Sequence, residues 1–173
     1  MPDVSTDTAS GPRVVVGIDP GAETGLAQID AETGAVLAVS SAGPLETIRQ
    51  LEALAASATL AGAYLEDSRD LPIYARHGGK NRGQRDRVAR SVGRVDGLTD
   101  LYVRLLTSLG VPVQTVEPVR STKWDAETCA RVTGWSDRSN VHGRDALRIV
   151  YGRSVPHSLF TTSSNSHPAP TPA

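Results

Sequence analysis

The sequence predicts an α/β fold, a five-stranded mixed sheet flanked by helices, on three observations. Apolar runs of strand length and stretches of helical periodicity follow one another in the order β-β-β-α-β-α-β-α. The first three strands are joined by connections so short that only an antiparallel meander can accommodate them. Strands four and five each follow a helical stretch, and right-handed crossovers of that kind return a strand parallel to its neighbour. A chain of 173 residues, 39% hydrophobic and 21% charged, suits one globular domain with a full core.

The elements read in order as follows. Strand one spans Arg13–Asp19, and its β-branched run Val14-Val15-Val16 suits a strand buried on both faces. Pro20 and Gly21 break pairing and turn the chain into strand two, Gly25–Asp30. A turn at Ala31-Glu32-Thr33-Gly34 leads to strand three, Ala35–Ser40. Pro44 opens a helix at a first-turn position, and Leu45, Ile48, Leu51, Leu54 and Ala55 recur at helical spacing. Strand four, Leu60–Leu65, runs out into Glu66-Asp67.

Ser68 to Gln84 is basic, contains glycine and lacks periodicity, as expected of a loop that is functional or disordered. A long helix follows, Arg85–Leu109, with an apolar stripe from Val88 to Leu109 and Gly110 as its cap. Gly93 and Gly97 lie four apart within it. Each costs about 1 kcal/mol against Ala in a helix, so the pair predicts close approach to a neighbouring backbone. Strand five is Val111–Val116, a short helix spans Lys123–Val132, and a last helix spans Val141–Gly152. The domain is expected over residues 13–153, between a disordered lead-in at 1–12 and a disordered Ser/Thr/Pro-rich tail at 154–173.

The net charge of −1 hides an uneven distribution. Residues 1–67 hold two bases and ten acids, whereas the segment from Arg69 to Arg94 holds eight bases against Asp70 and Asp86. That asymmetry favours a surface facing a polyanion over a solvated arginine-rich helix face. No apolar run approaches the roughly 20 residues of a membrane span. The N-terminal MPDVSTDTASGP lacks the basic and apolar regions of a signal peptide, and Cys129 is the sole cysteine. A cytoplasmic protein without disulfides or cysteine-based metal clusters is expected.

Candidate chemistry lies in the acids. Asp19 ends strand one, Glu66 ends strand four, and His142 and Asp145 share a face at the start of the last helix. Singly, each has an ordinary explanation: Asp19-Pro20-Gly21 as a turn, Glu66-Asp67 as a loop cap or a partner of Arg69, His142 as an ordinary residue at a helix start, Asp145 as a favourable charge near a helix N-terminus. Together, parallel strands one and four set Asp19 and Glu66 side by side at their carboxyl ends, where the last helix can cross. Carboxylates held so close repel, and divalent cations resolve the repulsion. Oxygen ligands favour Mg²⁺ or Mn²⁺, the imidazole leaning toward Mn²⁺, and two ions can clamp both oxygens of a phosphodiester displacement.

At these residues the chain resembles a known family. VVGIDPGAETG is similar to the first motif of the RuvC Holliday-junction resolvases, YLED to their second, SVGRVDG to their Gly-x-x-x-Gly helix segment, and HGRDALRIV to their final helix. The resemblance runs over roughly Arg13–Arg153. It implies an RNase H-like fold and Mg²⁺-dependent cleavage of four-way DNA junctions by a homodimer, with two ions per site. Asp19, Glu66 and Asp145 match the carboxylate ligands, and His142 matches a position that is Asp or His. Lys123 falls near a catalytic-region lysine that could stabilise charge on the phosphate. One ion bridging Asp19 and Asp145 would activate a water, and another shared by Asp19 and Glu66 would steady the leaving 3′ oxygen. Hydrolysis would leave a 5′-phosphate. Arg69, Arg76, Lys80, Arg82, Arg85, Arg87 and Arg90 are the expected DNA contacts. The aromatic wedge that members often carry after the Glu is absent, with Leu71, Ile73 and Tyr74 as substitutes. Nothing in the sequence speaks to a branch-migration motor.

Two other readings share the fold neighbourhood. A phosphate-binding ATPase of the actin and sugar-kinase kind also begins Asp-x-Gly…Thr-Gly, but it needs a second such domain and a second phosphate loop. A non-catalytic module that binds branched DNA would not require all four candidate ligands, and all four are present.

Overall fold

The computed structural model describes residues 11–70, 81–118 and 123–156. Its elements are β1 (Val14–Asp19), β2 (Thr24–Asp30), β3 (Val36–Ala42), α1 (Pro44–Ala56), β4 (Leu60–Glu66), a 3₁₀ turn (Ser68–Asp70), α2 (Arg82–Ser108), β5 (Val113–Val116), α3 (Ala126–Thr133) and α4 (Val141–Val150). One sheet runs in the order β3-β2-β1-β4-β5. β1 pairs antiparallel with β2 and β2 with β3, while β4 lies parallel to both β1 and β5. This is the five-stranded mixed sheet expected, with its meander of β1 to β3 and its parallel β4 and β5. No helix among the described residues is long and apolar enough to cross a membrane.

The two faces of the sheet follow from strand alternation. Val14, Val16 and Ile18 of β1 join Ala63 and Leu65 of β4 in a core under α1 and α2, with Leu51, Tyr102 and Leu106. Val15 and Tyr64 point the other way, into a core with Cys129 of α3 and Ala146, Leu147, Ile149 and Val150 of α4. Asp19 and Glu66 continue this second parity, so both carboxylates emerge on the face that α4 covers.

α4 lies unusually close to the sheet, and glycines make room for it. A Cβ at Gly17 would run into the Ala146 carbonyl, and one at Gly25 into the His142 carbonyl. These glycines perform the close packing that sequence spacing assigned to Gly93 and Gly97. That expectation is corrected: nothing lies within 4 Å of a Cβ built at either helix glycine. Both occupy exposed positions of α2, whose first half is largely exposed.

The element bounds shift for local reasons. α2 begins at Arg82, ahead of the expected Arg85, because Asn81 caps it by accepting a hydrogen bond from the Gln84 N–H. α3 starts at Ala126 rather than Lys123, capped by Asp125, and stops at Gly134 with φ of 77°. Pro112 delays β5 to Val113, although its carbonyl still accepts from the Ala63 N–H. The Tyr64 hydroxyl donates to the Ser154 carbonyl at 2.9 Å, and Pro156 is buried where a side chain on Gly62 would otherwise lie. Residues 1–10 and 157–173 lie outside the described residues.

A buried hydrogen-bond relay ties the helix layer to the first turn. Thr24 Oγ1 donates to the Gly21 carbonyl at 3.0 Å and lies 2.9 Å from Tyr102 Oη. A threonine hydroxyl has one proton to give, so Tyr102 is the donor in the second bond.

Candidate active site

The carboxyl ends of β1 and β4 and the N-terminal half of α4 enclose an open cleft of about 450 Å³. Asp19, Glu66, His142, Asp145 and Lys123 all line it, so the structure brings every sequence-derived catalytic candidate to one place. Each arrives by a different route. Asp19 is the last residue of β1, left facing the cleft as Pro20 and Gly21 turn the chain. Glu66 is the last residue of the neighbouring parallel strand. His142 and Asp145 occupy one face of α4, whose start is fixed by Asn140: its side chain accepts from the Gly143 N–H and donates to Glu23 Oε1 and Ser41 Oγ.

Within the cleft, Asp19 Oδ2 lies 3.4 Å from His142 Nδ1, which donates when that nitrogen carries the proton. Asp145 is nearly buried and faces two cations. Its Oδ2 accepts from Lys123 Nζ at 2.6 Å, and its Oδ1 lies 3.4 Å from Arg148 Nη1. Burial, the charge on Asp19 and the charge on Asp145 push the Glu66 carboxyl up to about 7. Burial also raises Asp19, against the hydrogen bond from His142. The hydrogen bond to Asp145 holds the Lys123 ammonium above its usual range.

These shifts set a pH dependence for the metal-free protein. Between the ordinary value of 4.5 and about 7, the folded state keeps a proton on Glu66 that the unfolded chain has lost, so stability falls as pH rises through that window. Allowing for the partial exposure of Glu66, the loss is about 1–2 kcal/mol. Thermal melts in EDTA should show a lower midpoint at pH 8 than at pH 5, and Glu66→Gln should flatten the decline. An equally steep decline in that variant would place its origin elsewhere.

The donor set, three carboxylates and an imidazole, suits a hard divalent ion. The set is not assembled into a cage. Among the described residues no three His, Cys, Asp or Glu side chains are grouped so as to hold a metal ion, and Asp145 is engaged by Lys123.

Two residues of α2 that sequence reasoning did not select, Ser91 and Val95, also line the cleft. Ser91 is shared with a second groove formed by Gly83, Arg87, Arg90 and Arg94 on the exposed half of the same helix. Of the expected DNA contacts, Arg82, Arg85, Arg87 and Arg90 are thus displayed on this half-helix. Arg69 is differently employed. It grips both oxygens of buried Asp67 and reaches Asp100 of α2, pinning the end of β4 to that helix. Arg76, Lys80, Leu71, Ile73 and Tyr74 lie outside the described residues. Arg148 was the other omission, and its spacing of three from Asp145 on one helix was the available signal.

No family model and no curated protein matches the chain. Among solved structures, T. thermophilus RuvC in complex with Holliday junction substrate is similar, with 18% identity and a TM-score of 0.49, over 79% of this chain and 90% of that one. The reading of the site rests on its own residues.

Proposed function

We propose that this chain is a divalent-metal-dependent endonuclease acting on branched DNA, four-way junctions foremost, and working as a homodimer. The observation that carries the reading is the convergence of Asp19, Glu66, His142 and Asp145 in one cleft that opens, across Ser91, onto an arginine-lined groove. An acidic cleft alone would repel a phosphodiester. An acidic cleft adjoining a basic track suits a phosphate chain held beside a metal-dependent reaction centre.

Asp19, Glu66 and Asp145 would hold the ions, with His142 as a further ligand or as a base that positions water. When bound, Mg²⁺ or Mn²⁺ supplies Lewis-acid activation of water and neutralises charge on the phosphate. The chain's own groups do the rest. His142 is set beside Asp19, which orients its ring and favours a proton on the nitrogen facing the carboxylate. Lys123, on the rim, stabilises charge developing on the phosphate oxygens. Arg87, Arg90 and Arg94 hold the flanking backbone and set the strand's direction into the cleft. A two-fold dimer fits a junction that needs two symmetric nicks.

The test is incubation of the purified protein with a four-way junction in Mg²⁺, in Mn²⁺ and in EDTA. Paired symmetric nicks with 5′-phosphate ends, present with either metal and absent in EDTA, are expected. Tight junction binding without cleavage in both metals would overturn the nuclease and leave a branched-DNA-binding module.

A further inference from the structure

We propose that Lys123 is a built-in counter-ion of the carboxylate cluster: its ammonium occupies the cation position on Asp145 until a divalent ion takes it, and is then released toward the phosphate. This rests on the metal-dependent reading above and adds to it a competition within the chain.

Asp145 has two cationic neighbours, and they differ in their freedom to leave. The Arg148 side chain is 6% exposed, belongs to the same helix and stays 3.4 Å from Oδ1. The Lys123 side chain is 67% exposed, sits ahead of α3 and makes the shorter contact, 2.6 Å to Oδ2. A lysine ammonium is a strongly hydrated point charge on a flexible stem, so water readily receives it when it lets go. Arg148 therefore remains as a fixed partner, and Lys123 is the exchangeable one.

The backbone beside Lys123 is held while its side chain is mostly exposed. Arg144 Nε donates to the Trp124 carbonyl at 2.9 Å, and the Arg148 guanidinium lies 5.8 Å over the Trp124 ring. Exchange is thus a swing of one side chain about an anchored point on the cleft rim. The nearly buried acid of the cluster presents one oxygen to Lys123 and the other to Arg148. Lys123 offsets part of the repulsion among the carboxylates in the metal-free protein, and gives way to a stronger cation.

Two cations that exclude each other from one carboxylate are linked, so removing one strengthens binding of the other. The experiment is titration of the full, metal-free chain with Mn²⁺, the free ion being counted by electron paramagnetic resonance. Wild type is compared with Lys123→Met and with Arg90→Met, the latter removing a positive charge that lines the groove but not the cleft. Lys123→Met should bind Mn²⁺ roughly 10-fold more tightly than wild type, and Arg90→Met should change affinity by less than about 2-fold. Equal affinity in Lys123→Met and wild type, or an equal gain in both variants, overturns the displacement while leaving the metal centre standing. Absence of Mn²⁺ binding in all three proteins overturns the metal centre and the displacement together.

Discussion

Asp19→Asn is expected to lower cleavage of a four-way junction by roughly 10³-fold while leaving junction binding near wild type, a loss of about 4 kcal/mol in transition-state stabilisation. The change is isosteric and removes only charge. Asp19 lies beside His142, raises Glu66 through its charge, and stands at the end of the strand nearest both. An amide there would weaken the proposed donor set and remove the partner that orients His142. Binding should survive, because the groove lined by Arg87, Arg90 and Arg94 is untouched. Single-turnover cleavage and gel-shift affinity, measured on the same preparation, check both halves. Wild-type cleavage with normal binding would sink the metal scheme.

Gly17→Ala is expected to destabilise the protein by about 3 kcal/mol, near the upper end for a side chain forced into a packed interior. The new methyl meets the Ala146 carbonyl and the Val150 side chain, both on α4, so the helix must lift from the sheet. Asp145 lies on that helix one residue before Ala146, and the site should loosen with the fold. Gly93→Ala provides the contrast. Its methyl meets nothing within 4 Å and should stabilise the helix by up to about 1 kcal/mol. Urea melts of the two variants settle the matter. Equal losses at both positions would show that close approach of α4 is not what requires Gly17.

These two glycines mark the boundary of what the sequence makes legible. Strand order, the parallel pairing of β1 with β4 and the placing of Asp19 beside Glu66 follow from hydrophobic pattern and connection length, which are local or nearly so. The site candidates came with them, since acids at the ends of apolar runs stand out against the pattern. Gly17 within a valine-rich strand gives no such contrast, because its reason lies in a helix more than a hundred residues later. Gly93 and Gly97 gave a false one: their spacing suits helix packing, but the helix face they occupy is open. Arg69 illustrates the same limit for charge. Counted within a basic run it reads as a DNA contact, whereas in the fold it clamps Asp67 and Asp100. Composition reports how many charges a segment carries, and only the folded chain reports which are already paired.

The exposed half of α2 has a mechanical side. Where its core-packed half begins, the helix is tied by Arg69 at Asp100 and by the Thr24 hydroxyl at Tyr102, and the second bond continues to the Gly21 carbonyl. Arg85 lies about 25 Å along the helix from that pivot, and Ser91 about 16 Å, at about 1.5 Å per residue. Tilting α2 by about 10° about the pivot carries Arg85 through roughly 4 Å and Ser91 through roughly 3 Å. α2 is therefore a lever whose long arm carries the arginines and whose fulcrum is bonded to the turn that presents Asp19. A load on the long arm is felt at the turn that presents Asp19.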